Sequence, residues 1–248
     1  MKKQSTKDYV LSELEHNKGS FITGMQLAED LGITRNAIWK AIKDLKNEGY
    51  DIKSVNNKGY CLDNTSDVIS VAAIKEAMAG LCEPEMIERI TDKIIIFDSL
   101  ESTSQTAKLE IITGSLDKKI IIAREQTAAR GHGEGTYVTP KGGIYLSIII
   151  TEKPGSRDEV ISVSRVGNII KEVIDELSGK ETVIDEHFNR ISIGKTIVCG
   201  IMTECFADLE TRTIKDYIIG IGIRNIDIPK NAAIAKIITG LFENRYSL

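Results

Sequence analysis

The sequence predicts an α+β chain in two parts: short helices and a β-hairpin in residues 1–64, then a mixed-sheet α/β domain in residues 65–248. Three observations carry this expectation. In the first part, apolar residues recur at helical spacing between polar caps and glycine stops. Turn-forming residues, Asn56-Asn57-Lys58, separate two short β-prone stretches. From Ile94 onward, isoleucine-rich runs alternate with helical stretches.

In the first part, Val10, Leu11 and Leu14 lie at helical spacing in the segment from Lys7 to His16, which Asn17-Lys18-Gly19 closes. Thr23 is placed to cap a second helix, Gly24 to Leu31, with Met25, Leu27, Ala28 and Leu31 available for packing and Gly32 as its stop. Thr34 caps a third helix running to about Glu48, whose expected buried stripe is Ala37, Ile38, Ala41, Ile42 and Leu45. A short helix, a glycine-containing turn and an N-capped helix make a helix-turn-helix. Tyr50 to Val55 and Gly59 to Leu62 add a hairpin with a basic tip, so the expected unit is a winged helix-turn-helix.

That pattern points to DNA. Thr34, Arg35, Asn36, Trp39, Lys40 and Lys43 are the expected outward residues of the third helix, mixing base-edge readers with phosphate contacts. Lys58 at the hairpin tip is expected near a phosphate or the minor groove. Trp39 fits either a DNA contact or a cover for the core edge. The net charge is −4, but residues 1–65 carry ten Lys or Arg and nine Asp or Glu (10 − 9 = +1), leaving −5 for the rest. Only a basic face has to meet phosphates, so this balance permits DNA binding without requiring it. There is no apolar run of membrane-spanning length and no secretory h-region, so the expectation is a cytoplasmic chain without membrane contact. The four cysteines and three histidines are isolated, which argues against a disulfide framework or a metal site.

In the second part, Asp63 to Asp67 reads as the linker and Val68 to about Ile90 as one or two helices broken near Pro84. Strands are expected at Ile94–Phe97, Lys119–Ala123, Ile144–Ile150, Lys195–Met202 and Tyr217–Ile223, with helices at Thr103–Ile112, Ser162–Leu177 and Asn231–Phe242. Two segments carry chemistry. In Gln126 to Gly135, alternating glycines expose backbone N–H groups and Arg130 can pair with a carboxylate or phosphate; a plain surface connection has the same composition. In Gly220-Ile221-Gly222-Ile223, alternate glycines in a strand suit close approach of a ligand or of another chain.

These features, in this order, resemble the biotin protein ligases that double as biotin operon repressors. The resemblance rests on Gly24 to Lys40 with Asn57-Lys58-Gly59-Tyr60, then Glu101-Ser102-Thr103-Ser104, Gln126 to Gly135, Thr139 to Ser147, Val198 to Glu204 and Gly220 to Ile223. It implies a second domain of the biotin-ligase type and a two-step reaction, in which biotin and ATP give an adenylate that acylates a lysine of a carboxyl-carrier protein. Ser102, Thr103, Gln126, Arg130, Gly131, His132, Gly200, Gly220 and Gly222 are the ligand-binding residues it implies. Hydroxyls and an amide suit a ureido ring, and glycines leave room for a flat ring system.

At the nucleotide end the chain departs from the family. The glycine-rich loop keeps one arginine of three, with His132 and Glu134 among its replacements. The Lys-Trp-Pro-Asn-Asp box reads Glu186-His187-Phe188-Asn189-Arg190. The catalytic lysine position falls on Ile197, with Lys195 two residues away. Ser104 and Arg224 stand where the family has asparagine, and the chain reaches Leu248 without a counterpart of the family's C-terminal β-barrel. Losing several cations worth ~2–3 kcal/mol each would slow adenylation by orders of magnitude. The expectation is therefore a dimeric, ligand-responsive repressor of operator DNA that binds biotin, or a related carboxylate, and has lost adenylation. The alternative is an active bifunctional ligase using MgATP, with Lys195 and Arg190 replacing the missing cations. A third possibility is a domain that only dimerises.

Overall fold

The computed structural model describes residues 5–114, 119–129, 139–151, 163–185, 189–208 and 213–242. The chain forms two compact units, Met1–Ala77 and Met78–Leu248.

In the first unit, Ser5 caps α1 (Thr6–His16) by accepting from Asp8 N. Thr23 caps α2 (Gly24–Leu31) reciprocally: its hydroxyl accepts from Gln26 N while the Gln26 side chain accepts from Thr23 N. Gly32 ends α2 in the left-handed region at φ 62°, where a side chain would be strained. Thr34 then caps α3 (Arg35–Asn47), accepting from Ala37 N at 3.3 Å. Val10, Leu14, Leu27, Ile38, Ile42 and Leu45 close one core. Met25, expected to pack, is instead 49% exposed, with its sulfur against the Arg35 guanidinium.

The hairpin pairs β1 (Ile52–Val55) with β2 (Gly59–Leu62), antiparallel, with Ile52 opposite Leu62. Asn57 and Gly59 both have positive φ, and an added Cβ on Gly59 would lie 2.1 Å from Ile22 O. That crowding arises because Tyr60 and Ile22 exchange backbone hydrogen bonds at 2.8 and 2.9 Å, tying the wing to the stretch before α2. Lys53 and Asp63 form an ion pair across the hairpin, and the hydrogen-bonded ammonium holds the Asp63 carboxyl well below the usual carboxylate range. The first unit continues past the expected linker. Val68 and Ala72 pack on its core, Ala72 from α4 (Val71–Met78).

The expected break near Pro84 falls between α4 and α5 (Pro84–Thr91), the first helix wholly within the second unit, and Pro84 takes the first helical position, where its missing N–H costs nothing. A mixed sheet follows, made of β3 (Ile94–Phe97), β4 (Ile120–Ala123), β5 (Ile144–Thr151), β6 (Val183–Asp185), β7 (Arg190–Ile193), β8 (Thr196–Asp208) and β9 (Thr213–Ile223). Their order is β3-β4-β5-β9-β8-β7-β6, with β3 and β4 parallel and every other pair antiparallel. Helix α6 (Thr103–Thr113) covers one face, where Ala107 packs on Ile121, Ile149 and Ile218. On the other face lies α7 (Val163–Ser178), with Gly167 against Ile184 and Ile201, and α8 (Lys230–Phe242) packs on α7. Strands β8 and β9 run longer than expected, and β6 and β7 were not anticipated, since their short half-exposed runs carry no alternation strong enough to read.

Candidate functional site

Two surfaces answer to the residues singled out above, one in each unit. In the first unit, Thr34, Arg35, Asn36, Trp39, Lys40 and Lys43 are all exposed. Asn36, Lys40 and Lys43 fall three or four apart along α3 and so share a face, the condition for entering a groove together. Trp39 is 57% exposed and does not cover the core edge; Lys43 Nζ stands 5.4 Å from its ring centroid. Between α3 and the wing is a concavity of about 590 Å³ lined by Met25, Arg35, Trp39, Asn56, Asn57 and Tyr60, among others. The Arg35 guanidinium lies against Met25 Sδ at 3.1 Å on its rim. Lys58 sits at the exposed wing tip, 6.0 Å from the half-exposed Phe21 ring.

In the second unit, the residues gather on the α6 face of the sheet. Ser102 caps α6, accepting from Gln105 N at 3.4 Å. The next residue, Thr103, donates its backbone N–H to Gln126 Oε1 at 2.7 Å and its hydroxyl to the same oxygen at 3.2 Å. The Gln126 carbonyl oxygen thus accepts twice from Thr103, and the donating amide nitrogen takes no part in that contact. Ser147 Oγ donates to Thr103 Oγ1 at 2.9 Å and lies 3.0 Å from Ser104 Oγ, so three buried hydroxyls form one network. Ser104 Oγ would come within 2.7 Å of a Cβ at Gly220, so glycine is needed there for α6 to sit this close.

Strand register lines up the rest. Gly220 lies opposite Ser147 on β5 and Met202 on β8. Two residues further along β9, Gly222 lies opposite Tyr145 and Gly200, and Gly200 lies opposite Arg190 on β7. Alternation puts Tyr145, Ser147, Gly200, Gly220 and Gly222 on one face, a floor with three positions that project no side chain. Tyr145 is buried and donates its hydroxyl to Pro140 O at 2.5 Å; burial pushes the phenol up to about 12.

The structure therefore brings Ser102, Thr103, Gln126, Gly200, Gly220 and Gly222 to one sheet face. Arg130, Gly131 and His132 lie outside the described residues, as do Glu186, His187 and Phe188. Lys195, expected on a strand, is instead exposed in the turn with Gly194 that joins β7 to β8. It precedes Gly200 by five residues (200 − 195), roughly 16 Å at ~3.3 Å per strand residue, so it stands away from the glycine floor. Reading the sequence missed Ser147 and Tyr145. The signal was there, two polar groups two apart in a largely aliphatic strand, but the segment Thr139 to Ser147 was read as a motif without assigning either side chain to the site. Arg224, which stands where the family has asparagine, is half-buried and continues the pairing of β9, its N–H donating to Val198 O at 2.8 Å.

Comparison with known proteins agrees with this two-part architecture. Residues 6–61 match the HTH domain family and residues 96–222 the Biotin/lipoate A/B protein ligase family. The chain is 30% identical over 216 residues to the Bifunctional ligase/repressor BirA of Bacillus subtilis (strain 168), covering 86% of this chain and 63% of that protein. It is 27% identical over 206 residues to its namesake in Escherichia coli (strain K12), covering 83% and 60%. The chain thus spans less than two thirds of the length of these relatives. Among solved structures, a Biotin Acetyl Coenzyme A Carboxylase Synthetase from Helicobacter pylori with bound Biotinylated ATP aligns with a TM-score of 0.52 at 19% identity, over 62% of this chain and 75% of that one, a likeness of fold. With a helix-turn-helix unit ahead of a mixed sheet whose glycine floor and hydroxyl cluster fall inside the matched region, this chain is a member of the Biotin/lipoate A/B protein ligase family that carries an N-terminal HTH domain.

Proposed function

We propose that this protein is a ligand-responsive DNA-binding repressor whose second unit binds biotin directly and does not adenylate it. One contrast carries the reading. The hydrogen-bonding end of the sheet face is assembled, with Gln126, Thr103, Ser104 and Ser147 linked over Gly220. The phosphate-handling end is not: the catalytic lysine position holds the half-buried Ile197, and Lys195 is in an exposed turn. The loss of several cations at that end leaves a binding pocket short of the charge that stabilises pyrophosphate departure. The relatives are named as ligase and repressor together, and α3 with its wing supplies the DNA-reading half of that pair.

A calorimetric titration of biotin, without and then with MgATP, tests this. Binding without nucleotide, unchanged on adding it, is the expected outcome. Recovery of biotinoyl-adenylate would transfer the case to the second reading, an active ligase, for which the position of Arg190 beside Gly200 is the favouring observation. Under that reading Arg190→Ala would abolish biotin transfer to a carboxyl-carrier protein, whereas Lys195→Ala, remote from the floor, would leave it intact.

A further inference from the structure

The glycine floor has a polar, uncharged end at the hydroxyl cluster and a different chemistry at the other. Arg224 follows Ile223 at the end of β9, and alternation from Gly220 and Gly222 sets position 224 on the same sheet face. Its backbone is pinned by the bond to Val198 O. Its side-chain Nε is buried and has no hydrogen-bond partner, and among the described residues no carboxylate pairs with its charge. The hydroxyl nearest in charge terms, Tyr145, is committed to Pro140 O and stays neutral far above physiological pH, so it does not neutralise the guanidinium. A buried donor on a permanent cation is costly to leave unmet, which makes its pairing with a ligand anion the economical explanation.

We propose that Arg224 is the anion-recognising residue of this pocket, taking the carboxylate of an elongated acid whose uncharged hydrogen-bonding end lies at Thr103, Ser104, Ser147 and Gln126. The inference rests on the sheet face being the ligand pocket of the preceding section. The two ends are four strand positions apart (224 − 220), roughly 13 Å at ~3.3 Å per residue, which the arginine side chain shortens. A short acid such as acetate reaches only one end; a ring with a flexible carboxylate tail reaches both. Arginine here does what the family's asparagine position cannot: it fixes the tail by charge, holding an unreacted carboxylate in place instead of presenting it for activation.

The test is a comparison of carboxylates with their amides in the full chain. Biotin and biotinamide, and octanoate and octanamide, are titrated into the wild-type protein, Arg224→Gln and Arg224→Lys, with thermal melts to establish folding. The wild type is expected to prefer biotin over biotinamide by roughly tenfold to a hundredfold, the scale of a hydrogen-bonded charge. Arg224→Gln should bind the two alike, and Arg224→Lys should keep part of the preference. Equal binding of biotin and biotinamide by the wild type overturns the role of Arg224 while leaving the biotin reading intact, and it does so without any variant. A preference that survives in folded Arg224→Gln overturns it too. If only octanoate binds, and Arg224→Gln erases its advantage over octanamide, Arg224 stands and biotin falls. If no ligand binds the wild type, both fall.

Discussion

Gly220 has no room for a methyl group, because Ser104 Oγ occupies the place where its Cβ would project. Gly220→Ala must push α6 off the sheet or turn Ser104 out of the hydroxyl network, at about 1–3 kcal/mol for the overpacking. Urea unfolding measures that loss, and biotin affinity should fall at least ~10-fold in the same variant, since one hydrogen-bonding group is displaced. Unchanged biotin binding in a destabilised Gly220→Ala protein would remove the hydroxyl cluster from the ligand reading. Tyr145 gives a pH signature. Its folded value, about 12, lies above the ordinary value of 10.0 because burial disfavours the phenolate. The stabilisation of the folded state is therefore complete below pH 10 and drains away as pH rises toward 12. Tyr145→Phe should flatten stability across that window while costing about 1 kcal/mol at neutral pH for the lost bond to Pro140 O. Chemical denaturation at stepped alkaline pH would show it. The residue types of this site were readable in the sequence, but their grouping was not: Thr103 and Ser147 are distant in the chain and meet only because α6 lies across β5.

At the scale of elements, α3 is specified twice over. Its cap and its apolar stripe agree, which is why its boundaries and its exposed face could both be read without coordinates. Thr34→Ala should cost ~0.5–2 kcal/mol by releasing the Ala37 N–H, measurable as a lower melting temperature of the first unit. If α3 lies in a major groove, Lys40→Ala and Lys43→Ala should each reduce the slope of log affinity against log salt by ~1 and weaken binding alike on all sequences. Asn36→Ala should instead relax preference at one base pair. A salt slope indifferent to both lysines would mean that this face does not meet phosphates. The wing was equally legible, since Asn57 and Gly59 supply the positive φ that the hairpin needs. Strands β6 and β7 were not, because edge positions carry little burial and so leave little pattern.

For the whole molecule, the two units imply separable responses. A ligand held on the sheet face of Met78–Leu248 should stabilise that unit by RT ln(1 + [L]/Kd), so that its unfolding temperature rises with the logarithm of ligand concentration above Kd, and leave the transition of Met1–Ala77 unmoved unless the units are coupled. Calorimetry at several biotin concentrations distinguishes these outcomes, and movement of both transitions would itself measure the coupling a repressor needs. Analytical ultracentrifugation with duplexes carrying one or two half-sites ~34 Å apart tests for the expected dimer on DNA. The sequence by itself determined what is local: the caps, glycine stops and helical stripes of the first unit, the aliphatic strands of the second, and the order of motifs that carries the family. Such features depend on neighbours a few residues apart, whose physics survives without the fold. Tertiary structure alone decided what depends on register: that Gly200, Gly222 and Tyr145 form one row, that Lys195 falls in a turn away from it, and that Arg224 ends the strand with a buried donor unmet. Register is set by backbone hydrogen bonds between strands far apart in the chain, and a shift of one residue would turn each of these side chains to the opposite face.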